Sequence, residues 1–333
     1  MDTEKRFELI KRNTEEIVTE EELKKLLEEK IEPVVYHGFE PSGVGIHIGY
    51  IVGLNKHLDF QEAGLKLKIL FADLHVWLNE KGDLGKVEHI SELYKESMLA
   101  WGLNPKKVEF VMGSDFQLSH KYFLDFLKLS LRVRMDRAKR SMTIIGRQEK
   151  DPHVAQIVYP LMQTIDNKHL GSDIAFGDLA QRKIHMLMRE NLANLGFKAP
   201  VAIHHADMVG LTGGKMSSSI PSSRILIDEK PEEIKKKIKR AYCPEKQIKD
   251  NPLLQICKFV IFPRQNKFKI ERSSKYGGDI EFSSYEELEK QYRQELHPLD
   301  LKEAVSEALI KVLEPVRRCM SKKRIQELKE LIE

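Results

Sequence analysis

At 333 residues and 41% hydrophobic content, the chain can bury a sizeable core and reads as two domains. A net charge of +4 is too small to announce a nucleic-acid binder by itself, and no apolar run approaches the roughly 18 residues that would span a bilayer. Cys243, Cys257 and Cys319 are odd in number and far apart, which excludes a disulfide framework or a zinc knuckle and reads as reduced buried thiols.

In chain order, the charge-rich stretch Met1 to Lys30 reads as amphipathic helix without an apolar signal region, giving the expectation of a cytosolic protein. Thr19 followed by Glu22 forms a capping-box pattern, and Leu23, Leu26 and Leu27 recur at helical spacing behind it. Val34 to Tyr36 is a first strand, and a helix follows Gly49. Leu67 to Ala72 is a second strand, ending at Asp73 and His75, and Val108 to Met112 is a third. Residues from about 114 to 151, helical and rich in Leu, Met and Arg, read as an insertion between two halves of a nucleotide fold. The second half returns as a helix from Val154 to Asp166, a loop, a helix from Gln181 to Leu195 and a strand from Val201 to His204. Strands alternating with helices predict an α/β, Rossmann-like, doubly wound parallel sheet over residues 1–227, with the site at the C-terminal ends of its strands.

From Ile227 onward the pattern turns mostly helical, which sets a second domain at 228–333. Here the basic excess concentrates: from residue 231 on there are 23 Lys and Arg against 18 Asp and Glu, leaving a net of −1 for the rest. Pro231, with Glu232 and Glu233 in the first turn, opens a helix carrying Lys235, Lys236, Lys237, Lys239 and Arg240. Such a helix can track phosphates, although a solvated face is the commoner reading of a lysine run.

Two separated segments carry the chemistry. Leu211-Thr212-Gly213-Gly214 leads into Lys215-Met216-Ser217-Ser218-Ser219, a lone cation on a Gly- and Ser-rich loop, suited to charge that builds on a departing polyphosphate. Much earlier, Tyr36-His37-Gly38-Phe39-Glu40-Pro41-Ser42-Gly43 and His47-Ile48-Gly49-Tyr50 describe a strand breaking into a glycine turn that opens a helix. Backbone amides and an imidazole in such a place can hold a nucleotide.

Together these segments resemble the HIGH-type and KMSKS-type motifs of class I aminoacyl-tRNA synthetases, and the chain looks like a tyrosyl-tRNA synthetase of the archaeal and eukaryotic kind. The resemblance spans nearly the whole chain. It runs through Gly38-Phe39-Glu40-Pro41-Ser42-Gly43, Ala72-Asp73-Leu74-His75, Gly113-Ser114-Asp115-Phe116-Gln117-Leu118, Tyr159-Pro160-Leu161-Met162-Gln163, Gln181-Arg182-Lys183, Ala241-Tyr242-Cys243 and Leu296-His297-Pro298-Leu299-Asp300-Leu301-Lys302. It departs from the family pattern at Tyr50, where the last His of the motif would stand, and at Val44-Gly45, where one extra residue is inserted.

The resemblance implies that tyrosine and ATP give tyrosyl-adenylate and pyrophosphate, and that tyrosine then passes to the 3′-terminal adenosine of tRNA-Tyr. His47 and Lys215 would be catalytic. Glu40, Gly49, Lys215, Met216, Ser217 and Ser218 would bind ATP, with Mg2+ bridging its phosphates and no structural metal in the protein. Tyr36 and Asp166 would meet the substrate hydroxyl, although Tyr36 also reads as a core tyrosine and Asp166 as a surface carboxylate. Tyr159, Gln163 and Gln181 would surround the ammonium, the first two at i and i+4 on one helix face. Asp73 and His75 either line this site or cap the next helix. Arg140, Arg182 and Lys183 would read the acceptor stem, and Tyr276, His297 and Asp300 in the anticodon-recognition domain would contact the first anticodon base. A homodimer formed through the insertion is implied as well, with neither DNA nor membrane among the partners. The alternatives are a tryptophan–tRNA ligase, which lacks need of the Tyr36 and Asp166 pair, and a catalytically degenerate paralogue that binds RNA or protein.

Overall fold

The computed structural model describes residues 1–142, 153–214, 216 and 220–332. Three elements precede the first parallel strand: α1 (Thr3–Lys11), β1 (Thr14–Val18) and α2 (Glu20–Glu29). The capping box at Thr19 forms as expected, its hydroxyl accepting from the Glu22 N–H while the Glu22 carboxylate accepts from the Thr19 N–H. The stretch before it is not all helix, because β1 intervenes and pairs antiparallel with the edge of the main sheet.

β2 (Val34–Phe39), α3 (Ile51–Glu62), β3 (Lys66–Phe71), α4 (Asp73–Leu78), α5 (Leu84–Trp101) and β4 (Val108–Met112) build one half of the sheet. The insertion contributes α6 (Ser114–Gln117), α7 (His120–Ser130) and α8 (Met135–Ser141); its remainder, 143–152, lies outside the described residues. The second half consists of α9 (Ala155–Leu170), β5 (Ile174–Asp178), α10 (Arg182–Asn191) and β6 (Val201–His205). Ile174–Asp178, expected as loop, is a strand: it is buried on both faces and so shows no alternation to betray it.

The strand order is β1-β6-β5-β2-β3-β4, with every pair parallel except β1 with β6. The chain winds outward from β2 through β3 to β4, then returns to β5 and β6 on the other side. The switch point therefore lies between β2 and β5, and a crevice opens beyond their C-terminal ends. α3 runs under this crevice and is buried nearly all round. Two of its buried polar residues are matched: the Lys56 ammonium donates to the carbonyls of Leu9, Ile10 and Arg12 and pairs with Asp59 at 2.9 Å, while Asn55 donates to Phe259 and accepts from the Trp101 indole.

After Ile227 come α11 (Pro231–Arg240), α12 (Pro252–Ile256), α13 (Tyr285–Gln294), α14 (Pro298–Met320) and α15 (Lys323–Ile332), together with a small antiparallel pair that the sequence reading lacked, β7 (Phe268–Ile270) and β8 (Ile280–Phe282). α14 and α15 pack on α5, and Arg324 reaches Glu92 at 2.7 Å across that contact. The cysteines are free, but only Cys257 is buried; Cys243 and Cys319 are partly exposed. No helix among the described residues is long and apolar enough to cross a membrane.

Candidate active site at the switch point

Two pockets share the crevice. The first is built around Asp166 on α9. Its carboxylate is fully buried, which excludes the surface reading of this residue. Gln117 donates to Asp166 Oδ1 at 2.8 Å, the Tyr122 hydroxyl lies 2.8 Å from the same oxygen, and the Tyr36 hydroxyl approaches Oδ2 at 3.4 Å. Burial raises the Asp166 carboxyl above the usual aspartate range, against the pull of His75 and of its hydrogen-bond donors. Burial, reinforced by Asp166, holds the Tyr36 phenol well above its usual range and keeps it protonated. Gly38 lies two residues along β2 on the same face; a Cβ there would stand 3.0 Å from the Tyr36 hydroxyl, so glycine keeps the mouth of this pocket open.

Toward the strand ends stand Tyr159, Gln163 and Gln181. Gln163 Nε2 donates to Gln181 Oε1 at 2.9 Å, yet Gln163 Oε1 is buried without a partner among the described residues. Gln117 Oε1 and both ring nitrogens of His75 share that condition. Buried polar atoms are nearly always hydrogen-bonded, so this concentration around one cavity marks a place where a polar ligand completes the set. The His75 ring stands edge-on to Tyr159 at 4.6 Å. The Tyr159 phenol is raised well above its usual range by burial and then by neighbouring Glu40. Asp73 serves a structural purpose, its Oδ1 accepting from the Ser114 N–H at 3.0 Å.

The second pocket lies at the turn after β2. His47 is buried and its Nδ1 accepts from the Gly49 N–H at 3.2 Å. Burial first, and the Arg224 charge second, lower this imidazole to about 4. A neutral ring whose Nδ1 accepts carries its proton on Nε2, which is thus fixed as a donor. A Cβ at Gly49 would come within 2.9 Å of the His47 ring and of Met216 Sδ. Only glycine permits this approach.

Met216 therefore lies against the His47 turn. Its neighbours Lys215, Ser217, Ser218 and Ser219 fall outside the described residues. Backbone pairing ties the same region together, since the Ile48 N–H donates to the Ile225 carbonyl at 2.9 Å and the Ile227 N–H to that of Ile46 at 3.0 Å. Glu40 accepts from Asn79 at 3.0 Å and forms an ion pair with Lys81. Tyr50 stacks at a tilt on His47 at 4.6 Å. The inserted Val44-Gly45 is absorbed in a turn where Gly43 and Gly45 both take positive φ, and the Tyr94 hydroxyl secures the Ser42 carbonyl at 2.8 Å.

Arg140 stands exposed on α8, which packs on α10 where Arg182 and Lys183 are also exposed. Arg182 pairs with Glu16 of β1 at 2.8 Å. Tyr276 is exposed in a turn between β7 and β8, while His297 caps α14, its Nδ1 accepting from the Leu299 N–H, with Asp300 in the first turn. His297 thus has the helix-entry position that its Pro298 neighbour suggests. Tyr122, Arg224 and Asn79 were missed by sequence reasoning: Tyr122 is 44 positions from Asp166, and no local spacing pairs them.

Residues 27–314 match the family model of class I tRNA synthetases (W and Y). The chain is 48% identical over 322 residues to a tyrosine–tRNA ligase of Methanopyrus kandleri, covering 96% of this chain and 99% of that one. It superposes with a TM-score of 0.92 on the tyrosyl-tRNA synthetase of Archaeoglobus fulgidus complexed with L-tyrosine, at 45% identity and covering 96% of this chain and all of that one. A tryptophanyl-tRNA synthetase of Aeropyrum pernix shares the fold at 19% identity, with a TM-score of 0.72 over 94% of this chain and 83% of that one. The chain belongs to the class I tRNA synthetases for tryptophan and tyrosine, within their tyrosine–tRNA ligase branch.

Proposed function

We propose that this ligase selects tyrosine at Asp166 and activates it at the His47 turn. The observation that carries this reading is the buried carboxylate of Asp166 facing the Tyr36 hydroxyl, one turn of α9 from Gln163, whose buried Oε1 has no partner among the described residues. A substrate phenol donates to Asp166 and accepts from Tyr36, while its ammonium donates to Gln163 Oε1 and the Tyr159 oxygen, with Gln181 holding Gln163 in place. An indole has no hydroxyl to satisfy Asp166, which disfavours tryptophan.

The substrate carboxylate then faces the nucleotide. One of its oxygens bonds to the α-phosphorus of ATP as the bond to the pyrophosphate oxygen breaks. No side-chain nucleophile is required, and catalysis rests on positioning and on stabilising the leaving charge. His47 contributes its Nε2–H to phosphate oxygens, Gly49 allows close approach, and Lys215, next to Met216, clamps the leaving group together with Ser217 and Ser218. Glu40 acts on this side through Lys81 and Asn79. Among the described residues no group of three or more His, Cys, Asp or Glu could hold a metal ion. The Mg2+ that accompanies ATP would neutralise the charge of its phosphate oxygens. In the second step the terminal ribose hydroxyl of tRNA-Tyr attacks the carbonyl carbon and AMP leaves.

Arg140, Arg182 and Lys183 present a basic surface for the acceptor stem. Residues 228–333 form the anticodon-recognition unit, with Tyr276 as a stacking platform and Asp300 accepting from a base edge. Exposed Phe123, Leu124, Leu127 and Leu131 on and after α7 support a homodimer. A ligase charging tRNA-Tyr works in the cytoplasm. Tyrosine-dependent ATP–pyrophosphate exchange tests the assignment; exchange with tryptophan but not with tyrosine would overturn it.

A further inference from the structure

Arg224 stands outside every motif of the chain. It lies just after the Lys215 loop, in the segment whose next residue, Ile225, accepts from the Ile48 N–H. The side chain is more than nine-tenths buried, and its Nε and Nη1 have no hydrogen-bond partner among the described residues. Guanidinium groups in protein interiors are ordinarily satisfied by carboxylates or carbonyls, because an unpaired buried cation is costly. The carboxylates of the same segment are engaged elsewhere: Asp228 with Lys329 and Glu229 with Lys237 at 2.5 Å.

What surrounds the guanidinium is uniform in character. The segment of Arg224 pairs with the His47 turn through an antiparallel bridge between His47 and Leu226, and the guanidinium charge helps to keep the His47 imidazole neutral, with its other nitrogen a donor. A neutral imidazole N–H and two guanidinium N–H groups without a partner among the described residues are complementary to an oxyanion. Arginine's planar fork matches two oxygens of a phosphate group.

We infer that Arg224 is a phosphate-binding residue of the ATP site, donating through Nε and Nη1 to oxygens of the triphosphate that His47 also contacts. This deepens the assignment of the His47 turn as the nucleotide pocket and rests on it. A cation fixed in the scaffold complements one carried on a loop: Arg224 holds the nucleotide before reaction, whereas Lys215 engages as pyrophosphate departs.

The test is ATP–pyrophosphate exchange by the full-length enzyme and its R224Q and R224K variants, with tyrosine affinity measured directly in the absence of ATP. Exchange by the unmodified enzyme, and its loss in H47N, establish the pocket independently of Arg224. R224Q should then raise the KM for ATP about 10- to 100-fold, the range of a lost charge-assisted hydrogen bond, with R224K recovering part of it and tyrosine affinity unchanged in both. An unchanged KM for ATP in R224Q overturns the inference. So does a parallel loss of tyrosine affinity in both variants, which would mark Arg224 as a packing residue, and so does a defect confined to transfer onto tRNA.

Discussion

The Tyr36 hydroxyl and the Asp166 carboxylate, 130 positions apart in sequence, meet at 3.4 Å where β2 and α9 face each other. Both are buried, and the other carboxylate oxygen is pinned by Gln117 and Tyr122. Their separation leaves a weak direct contact that a substrate phenol, standing beside the pair within hydrogen-bond distance of both oxygens, can improve upon. A site built to hydrogen-bond a hydroxyl rejects the analogue that lacks it far more strongly than an apolar pocket does, a rule for which tyrosine-specific synthetases are themselves the worked case. Asp166→Asn and Tyr36→Phe should lower kcat/KM for tyrosine by about 10- to 100-fold each and narrow the preference over phenylalanine. Exchange assays with both amino acids measure this, and an unaltered preference in both variants would remove the pair from recognition.

His47 provides a pH signature. Its ring is held at about 4 in the folded protein against an ordinary value of 6.5. Between those values the unfolded chain takes up a proton that the native site refuses, so the stabilising contribution is complete above about pH 6.5 and disappears as pH falls toward 4. The full difference is about 3 kcal/mol. His57, lowered to about 3 by burial, acts with the same sign. Urea unfolding at pH 7.5 and pH 4.5 should show a large drop in stability, smaller in His47→Gln. A drop of equal size in that variant would place the proton uptake elsewhere.

What was legible in the sequence is what local chemistry dictates. The capping box at Thr19, the strand Val108–Met112 and the Pro231 helix start all depend on residues within a few positions of each other. β1 escaped notice because Thr14-Glu15-Glu16-Ile17-Val18 has only two strong apolar residues, acceptable on a half-exposed edge strand, and β5 because a short strand buried on both faces has no period. The site shows the same division. Tyr36, His47, Tyr159 and Gln163 lie on recognisable motifs and Asp166 three positions beyond one, whereas Tyr122 and Arg224 gain their positions only from tertiary packing, and no spacing reveals them.

The outward face of α7 predicts assembly. Phe123, Leu127 and Leu131 follow one another at i, i+4 spacing and are all exposed, while Tyr122, Asp125 and Leu129 bury the opposite face. An apolar stripe of this kind on a surface helix marks a contact with another chain. Light scattering should give twice the chain mass for the native protein and the single mass for Leu127→Glu. A monomeric native protein would show that the stripe serves another partner.

Lys215 is the remaining test of the ATP site, and its expected behaviour follows from residues on either side of it. Met216 packs against Gly49 and His47, while Gly210 is drawn close to Ser223 by the hydrogen bond from the Leu211 N–H to the Ser223 carbonyl at 2.9 Å. Lys215 precedes Met216 in sequence, the residue that packs on the His47 turn. If its charge is engaged chiefly as pyrophosphate departs, removing it costs transition-state stabilisation and little ground-state binding. Lys215→Ala should therefore reduce kcat for tyrosyl-adenylate formation by about 100-fold or more, the scale of a lost electrostatic contact in a closed site, with tyrosine affinity nearly unchanged. Single-turnover measurement of adenylate formation separates the two quantities. Equal losses in tyrosine binding and in adenylate formation would show that Lys215 shapes the pocket and has no charge-stabilising part in the reaction.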